Sequence, residues 1–127
     1  MKVIRLMDIE GTERQVECPK GNFVSNRFLL ESDGMGYSIT KTIIPKGTKA
    51  VWHYTNHLES CYCIRGWGGV KRTDENSYHE IREDVLYVLD EHDEHEFFAM
   101  EETELLCVFN PPLKGREIHN KKGEYEV

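Results

Sequence analysis

The chain has 127 residues, with 16 Lys and Arg against 23 Asp and Glu, a formal net charge of −7 and 39% hydrophobic residues. That length fits one domain of roughly two-thirds buried surface, which acquires a core without disulfides or a structural metal. The excess of negative charge opposes the phosphate contacts that drive nucleic-acid binding, so no nucleic-acid partner is expected. Met1-Lys2-Val3-Ile4-Arg5 leads into no long apolar run, so neither a signal peptide nor a membrane span is expected, and a cytoplasmic location follows. In that reducing compartment Cys18, Cys61, Cys63 and Cys107 are expected as thiols.

In chain order, β-prone runs occupy 23–30, 37–44, 49–54, 58–65, 70–72, 78–81, 85–89, 96–100 and 105–109. Between them stand turn-forming groups: Asp33-Gly34-Met35-Gly36, Pro45-Lys46-Gly47, Gly66-Trp67-Gly68-Gly69 and Asp74-Glu75-Asn76. Helix signals are nearly absent, no stretch reads as a linker or repeat, and polarity rises after Asn110-Pro111-Pro112. The pattern predicts one all-β domain over 1–127, a sandwich or barrel.

Side chains along a strand alternate between faces, so parity sorts the candidates. In the run from Leu58, one face carries Leu58, Ser60, Tyr62 and Ile64, and the other carries Glu59, Cys61 and Cys63. A carboxylate sharing a face with two small thiols implies a partly polar interior, which a purely structural core avoids because lone buried charges are costly. The same parity pairs Tyr87 with Val85 and Leu89, Trp52 with Tyr54, and Cys107 with Phe109.

From Gly47 the sequence runs five residues to His53, then Tyr54 and Thr55, three residues to Glu59, and six more to Gly66. This resembles the first cupin motif with Thr55 in place of its second histidine. Tyr87 stands where a second cupin motif carries a metal-binding histidine, and Glu83-Asp84 fill the turn that usually holds Pro-Gly. The resemblance implies a small double-sheet jelly-roll barrel that holds a metal or ligand inside. Longer strings narrow it: Asp33-Gly34-Met35-Gly36, Asn56-His57-Leu58-Glu59, Tyr62-Cys63-Ile64, Tyr87-x-Leu89-Asp90-x-His92-Asp93-x-His95, and Cys107-Val108-Phe109-Asn110-Pro111-Pro112-Leu113-x-Gly115-Arg116-Glu117. On these the chain resembles the ectoine synthases. That resemblance implies an iron-dependent lyase, with Fe2+ as cofactor, that closes N-γ-acetyl-L-2,4-diaminobutyrate into ectoine with loss of water. It also implies a homodimer.

The resemblance carries roles to individual residues. Glu59, Tyr87 and His95 match the metal-binding positions, a carboxylate, a phenol and an imidazole that suit iron and leave positions open. Phe23, Arg27, Thr40, Cys107 and Phe109 match positions that hold substrate, Arg27 offering its fork of donors to the α-carboxylate. Tyr54, Glu117 and His119 match positions assigned here to catalysis. His53, His57 and His92 are read as structural, and Cys61-x-Cys63 lacks the second pair that a zinc ribbon needs.

Three departures from the family pattern stand out. Phe23 occupies a position that is usually Trp, Glu83-Asp84 replaces Pro-Gly, and Trp67 is placed at an exposed hairpin tip. They motivate an alternative, a cupin paralogue that acts on or senses another small acylated amino acid. Segment 111–127 is expected to be a mobile lid, because two prolines end the last strand and the residues beyond are too polar for a core strand.

Overall fold

The computed structural model describes residues 1–120 and 123–125. A short helix, α1 (Leu6–Ile9), precedes ten strands. They are β1 (Gln15–Glu17), β2 (Val24–Leu29), β3 (Ser38–Ile44), β4 (Lys49–Trp52), β5 (Leu58–Arg65), β6 (Trp67–Arg72), β7 (His79–Arg82), β8 (Leu86–Leu89), β9 (His95–Ala99) and β10 (Thr103–Asn110). Antiparallel pairing builds a six-stranded sheet in the order β1-β2-β3-β10-β5-β8 and a four-stranded sheet in the order β4-β9-β6-β7. The double-sheet barrel expected from the strand pattern is therefore present.

Alternation drives the closure. In β5 Glu59, Cys61 and Cys63 are buried while Leu58 and Tyr62 face outward, and in β9 His95, Phe97 and Ala99 point in. Ile44, Phe97, Ala99 and Leu105, each at most 2% exposed, anchor the apolar interior. Burial of each large side chain is worth about 1.5–3 kcal/mol.

Register then assembles the site. Across the larger sheet Arg27 lies opposite Thr40, Thr40 opposite Cys107, Cys107 opposite Cys61, and Cys61 opposite Tyr87. Directly paired residues share a face, so this row of five runs over the inner surface from β2 to β8. One rung away, Glu59 pairs with Phe109 on one side and Leu89 on the other.

Two expectations are corrected. Gly66-Trp67-Gly68-Gly69 is not a turn: β6 begins at Trp67, and of the four only Gly66 keeps a positive φ, 118°. Gly68 is in the strand because its neighbour leaves no room; a Cβ there would stand 2.2 Å from the Phe98 carbonyl oxygen. Trp67 is accordingly half-buried rather than at a tip, its indole N–H donating to Glu80 at 3.2 Å under the Arg82 guanidinium. The sequence reading also passed over α1 and β1, each too short to show a period.

After β10 the chain turns back across the barrel. Leu113 is fully buried, its N–H donating to Ser38 Oγ at 3.0 Å and its carbonyl accepting from Glu31 N at 2.8 Å. The His53 N–H donates to the Gly123 carbonyl at 3.0 Å, and Tyr125 is 3% exposed. Of the expected lid, Lys121, Lys122, Glu126 and Val127 lie outside the described residues.

Candidate active site

A narrow cavity of about 20 Å³ opens between the sheets, and Phe23, Thr40, Tyr54, Glu59, Tyr87, Cys107 and Phe109 all line it. Each was singled out from the sequence. Trp52 and Tyr125 complete the aromatic wall, and Thr42 sits 3.6 Å from Cys107 Sγ.

His95 comes from the opposite sheet, on β9 beside Trp52 of β4. Its ring packs on Trp52 and Tyr54, centroids 6.2 and 5.9 Å away, and it lines a neighbouring pocket with Tyr87, the residue that also borders the cavity of Glu59. The Nδ1–H donates to the Asp93 carbonyl at 2.9 Å, which leaves Nε2 as the bare nitrogen. That Nε2 is buried without a hydrogen-bond partner. An imidazole fixed through one nitrogen, with the other stranded inside, is the arrangement metal-ligating histidines adopt. Burial pushes the Glu59 carboxyl and the Tyr87 phenol well above their ordinary values, and holds His95 below its own. A nearby cation reverses the penalty on the two oxygen groups. The donor set Glu59, Tyr87 and His95 therefore fits a hard-to-intermediate metal such as iron.

The described tail residues meet this centre at the mouth. The Tyr54 hydroxyl lies 2.8 Å from His119 Nε2. Burial, with Arg27 nearby, lowers His119 to about 3, while burial raises Tyr54 well above the phenol range, so the phenol donates and the neutral imidazole accepts. Phe23 packs edge-on to His119 and Trp52, with centroids 5.0 and 5.9 Å away.

Arg27 and Glu117 sit differently from the expectation of direct substrate contact. Arg27 is fully buried; its Nε donates to Ser25 Oγ, Nη1 to the Gly115 carbonyl at 2.7 Å and Nη2 to the Glu117 carbonyl at 2.6 Å. Glu117 turns its carboxylate onto the Lys114 and Gly115 N–H groups, 2.5 and 2.6 Å away, with an oxygen 3.7 Å from Arg27 Nη1. Desolvation opposes its ionisation, yet those N–H groups and Arg27 hold it below the usual carboxylate range.

Tyr125 and His57 were not anticipated as parts of the mouth. Tyr125 stacks on Tyr54 and His119 at 5.2 and 4.6 Å, and Arg27 stands 5.6 Å from its ring centre. His57 is 2% exposed between Phe109 and Tyr125, its Nδ1 without a partner. His57 lies one step before β5 on the same inward parity as Glu59, Cys61 and Cys63, so alternation was the local signal that could have marked it.

A family model described as ectoine synthase matches residues 1–127 of the chain. The L-ectoine synthase of Wolinella succinogenes is 48% identical over 120 residues, 94% of this chain and 92% of that protein. The crystal structure of ectoine synthase from P. lautus superposes with a TM-score of 0.84 at 36% identity, over 90% of this chain and 80% of that one. The Schizosaccharomyces pombe Cnp3 cupin domain, at 11% identity, matches with a TM-score of 0.60 over 71% of this chain and 65% of its own, and shows the fold alone.

Proposed function

Because this chain belongs to the ectoine synthase family, and its activity is that of an ectoine synthase, we propose that it holds Fe2+ on Glu59, Tyr87 and His95 and cyclises N-γ-acetyl-L-2,4-diaminobutyrate with loss of water. The observation that carries the metal assignment is the stranded His95 Nε2, fixed through Nδ1 and buried without a partner, with Tyr87 bordering both its pocket and the cavity that Glu59 lines. When bound, the metal supplies Lewis acidity toward the acetamide carbonyl.

The protein's own groups do the rest. Phe23, Trp52, Phe109 and Tyr125 wall the cavity and exclude water, which favours a reaction that must release it. A substrate admitted as the tail opens and held folded between those walls brings its α-amine to the amide carbon, so ring closure loses little further entropy. His119 Nε2, neutral and accepting from Tyr54, fixes that hydroxyl in the cavity wall, where the phenol oxygen is placed to accept a hydrogen bond from the attacking amine. Arg27, fully buried and held by Ser25 and the Gly115 and Glu117 carbonyls, with the Glu117 carboxylate 3.7 Å away, positions the tail across the barrel. Glu117 fixes the turn that aims the tail at Arg27, and segment 111–127 serves as the lid.

All four cysteines are free thiols, which suits a cytoplasmic location. Among the described residues no helix is long and apolar enough to cross a membrane. A homodimer is supported by the outer surface of the six-stranded sheet, where Phe28, Ile39 and Leu106 line an apolar groove and Val88 is 49% exposed.

The iron assignment is tested by metal analysis of folded variants: Tyr87→Phe and His95→Ala should each lose most bound iron. Full iron content in Tyr87→Phe would remove that oxygen from the set. Phe23 favours a second reading, a paralogue with a different acylated amino acid as substrate. Incubating iron-loaded protein with the acetylated diaminobutyrate separates the two, since the paralogue yields no ectoine.

A further inference from the structure

The four buried cysteines are not equivalent. Cys63 directs its Sγ to the Arg65 carbonyl at 3.5 Å, and Cys18 lies just beyond β1, its N–H on the Phe23 carbonyl. Cys61 and Cys107 instead face each other across the β5–β10 ladder, 1% and 3% exposed. Their two Sγ atoms and an oxygen of Glu59 lie within 4.8 Å of one another.

We infer that Glu59, Cys61 and Cys107 form a second, thiolate-rich cation site that takes a soft or borderline ion of the zinc and cadmium class. The site overlaps the iron site through Glu59, so one ion excludes the other; only this exclusion rests on the iron reading above.

Ligand chemistry separates the two sets. Glu59, Tyr87 and His95 offer two oxygens and a nitrogen, whereas the second set offers two sulfurs and an oxygen, and thiolates select soft ions. Two sulfurs on one tetrahedral ion at zinc–sulfur distance stand roughly 3.8 Å apart, so the side chains need close by no more than about 1 Å. Three protein ligands leave one position open. Glu59 is 6% exposed, and among the described residues no cation pairs with it, so an ion on this side offsets the same burial penalty that iron would. An interior that needed only bulk would be served by two alanines or valines, with no sulfurs converging on a carboxylate.

The test is a cadmium titration of the reduced, metal-free full chain, read by the ultraviolet thiolate-to-cadmium charge-transfer band. One equivalent should saturate the band. Cys61→Ala, and the bulkier Cys61→Val as a guard against packing loss, should halve it, whereas Cys63→Ala should leave it unchanged. An undiminished band in both Cys61 variants, or no band in the parent chain, overturns the site. With iron loaded first, cadmium should release iron mole for mole; two ions per chain overturn the sharing of Glu59. Tyr87→Phe and His95→Ala should keep the cadmium band. If those variants also keep their iron, the iron reading fails while the thiolate site stands.

Discussion

Three histidines stand neutral in the fold, His57 and His95 buried and His119 half-buried at the mouth of the cavity. Desolvation holds His57, His95 and His119 below the ordinary imidazole value, His119 to about 3, with Arg27 adding to the effect. In an unfolded or undocked chain each titrates near 6.5. Between about 3 and 6.5 the open form therefore binds more protons, and stability rises with pH across that window and is lost as pH falls through it. For His119 the loss between pH 6.5 and 5 amounts to about 2 kcal/mol. Because His119 belongs to the tail, the tail should release before the barrel unfolds: limited proteolysis beyond Leu113 should speed several-fold from pH 7.5 to pH 5. Replacing His119 with Gln should flatten that dependence, and equal cleavage rates at both pH values would reject it. Phe23 offers a second test. Phe23→Trp should keep or raise turnover of the acetylated diaminobutyrate, since Phe23 is a wall of the cavity and Trp is the residue that the family pattern places there; a large loss would mark a pocket fitted to a different substrate.

At the scale of elements, glycines decide what a strand or tail can touch. A Cβ at Gly68 would meet the Phe98 carbonyl of β9, backbone that cannot step aside, whereas at Gly115 it would meet nothing within 4 Å. Gly68→Ala should destabilise by about 1–3 kcal/mol in thermal or denaturant unfolding, and Gly115→Ala should leave unfolding unchanged. The tail has its own contact of this kind: Gly123 has φ +76°, and a Cβ there would lie 2.7 Å from the Val51 carbonyl oxygen. Truncation after Leu113 should leave folding and iron content nearly intact while removing most turnover. A truncated protein with its full rate would return the segment to a mere terminus. These contacts also explain what the sequence could reveal. The strands of 58–65 and 105–109 were legible because alternation is local, and Glu59 stood out as a carboxylate on an inward face. β6 was misread because glycine is the usual mark of a turn and here serves close packing. The tail was read as a polar lid carrying Glu117 and His119, but its contacts were not legible, since a lone Tyr125 or Gly123 has no periodic neighbours and the carbonyls that engage Arg27 lie 88 and 90 residues away.

For the whole molecule, the barrel class followed from strand count and turns, but the row from Arg27 to Tyr87 depended on register among five strands that are mostly not consecutive. Long-range register leaves no trace in a single sequence. The outer side of that sheet is apolar where a monomer would be charged: Leu86 and Val88 on edge strand β8 are 55% and 49% exposed. Unpaired edges and apolar faces are normally covered. Sedimentation at low micromolar concentration should therefore give a dimer. Leu106→Glu, on the outer face of central β10, should give a folded monomer, and a parent chain that sediments only as monomer would count against the assembly.

The clasp between Arg27 and the Gly115 and Glu117 carbonyls ties tail docking to whatever else the guanidinium holds. Two equilibria that share one group obey reciprocity: the factor by which a ligand shifts docking equals the factor by which docking shifts the ligand's affinity. Protection of the tail by substrate, measured as a ratio of cleavage rates under rapid opening, thus forecasts the loss of affinity on truncation. A ligand that draws Arg27 away would instead bind the shortened chain more tightly than the whole one.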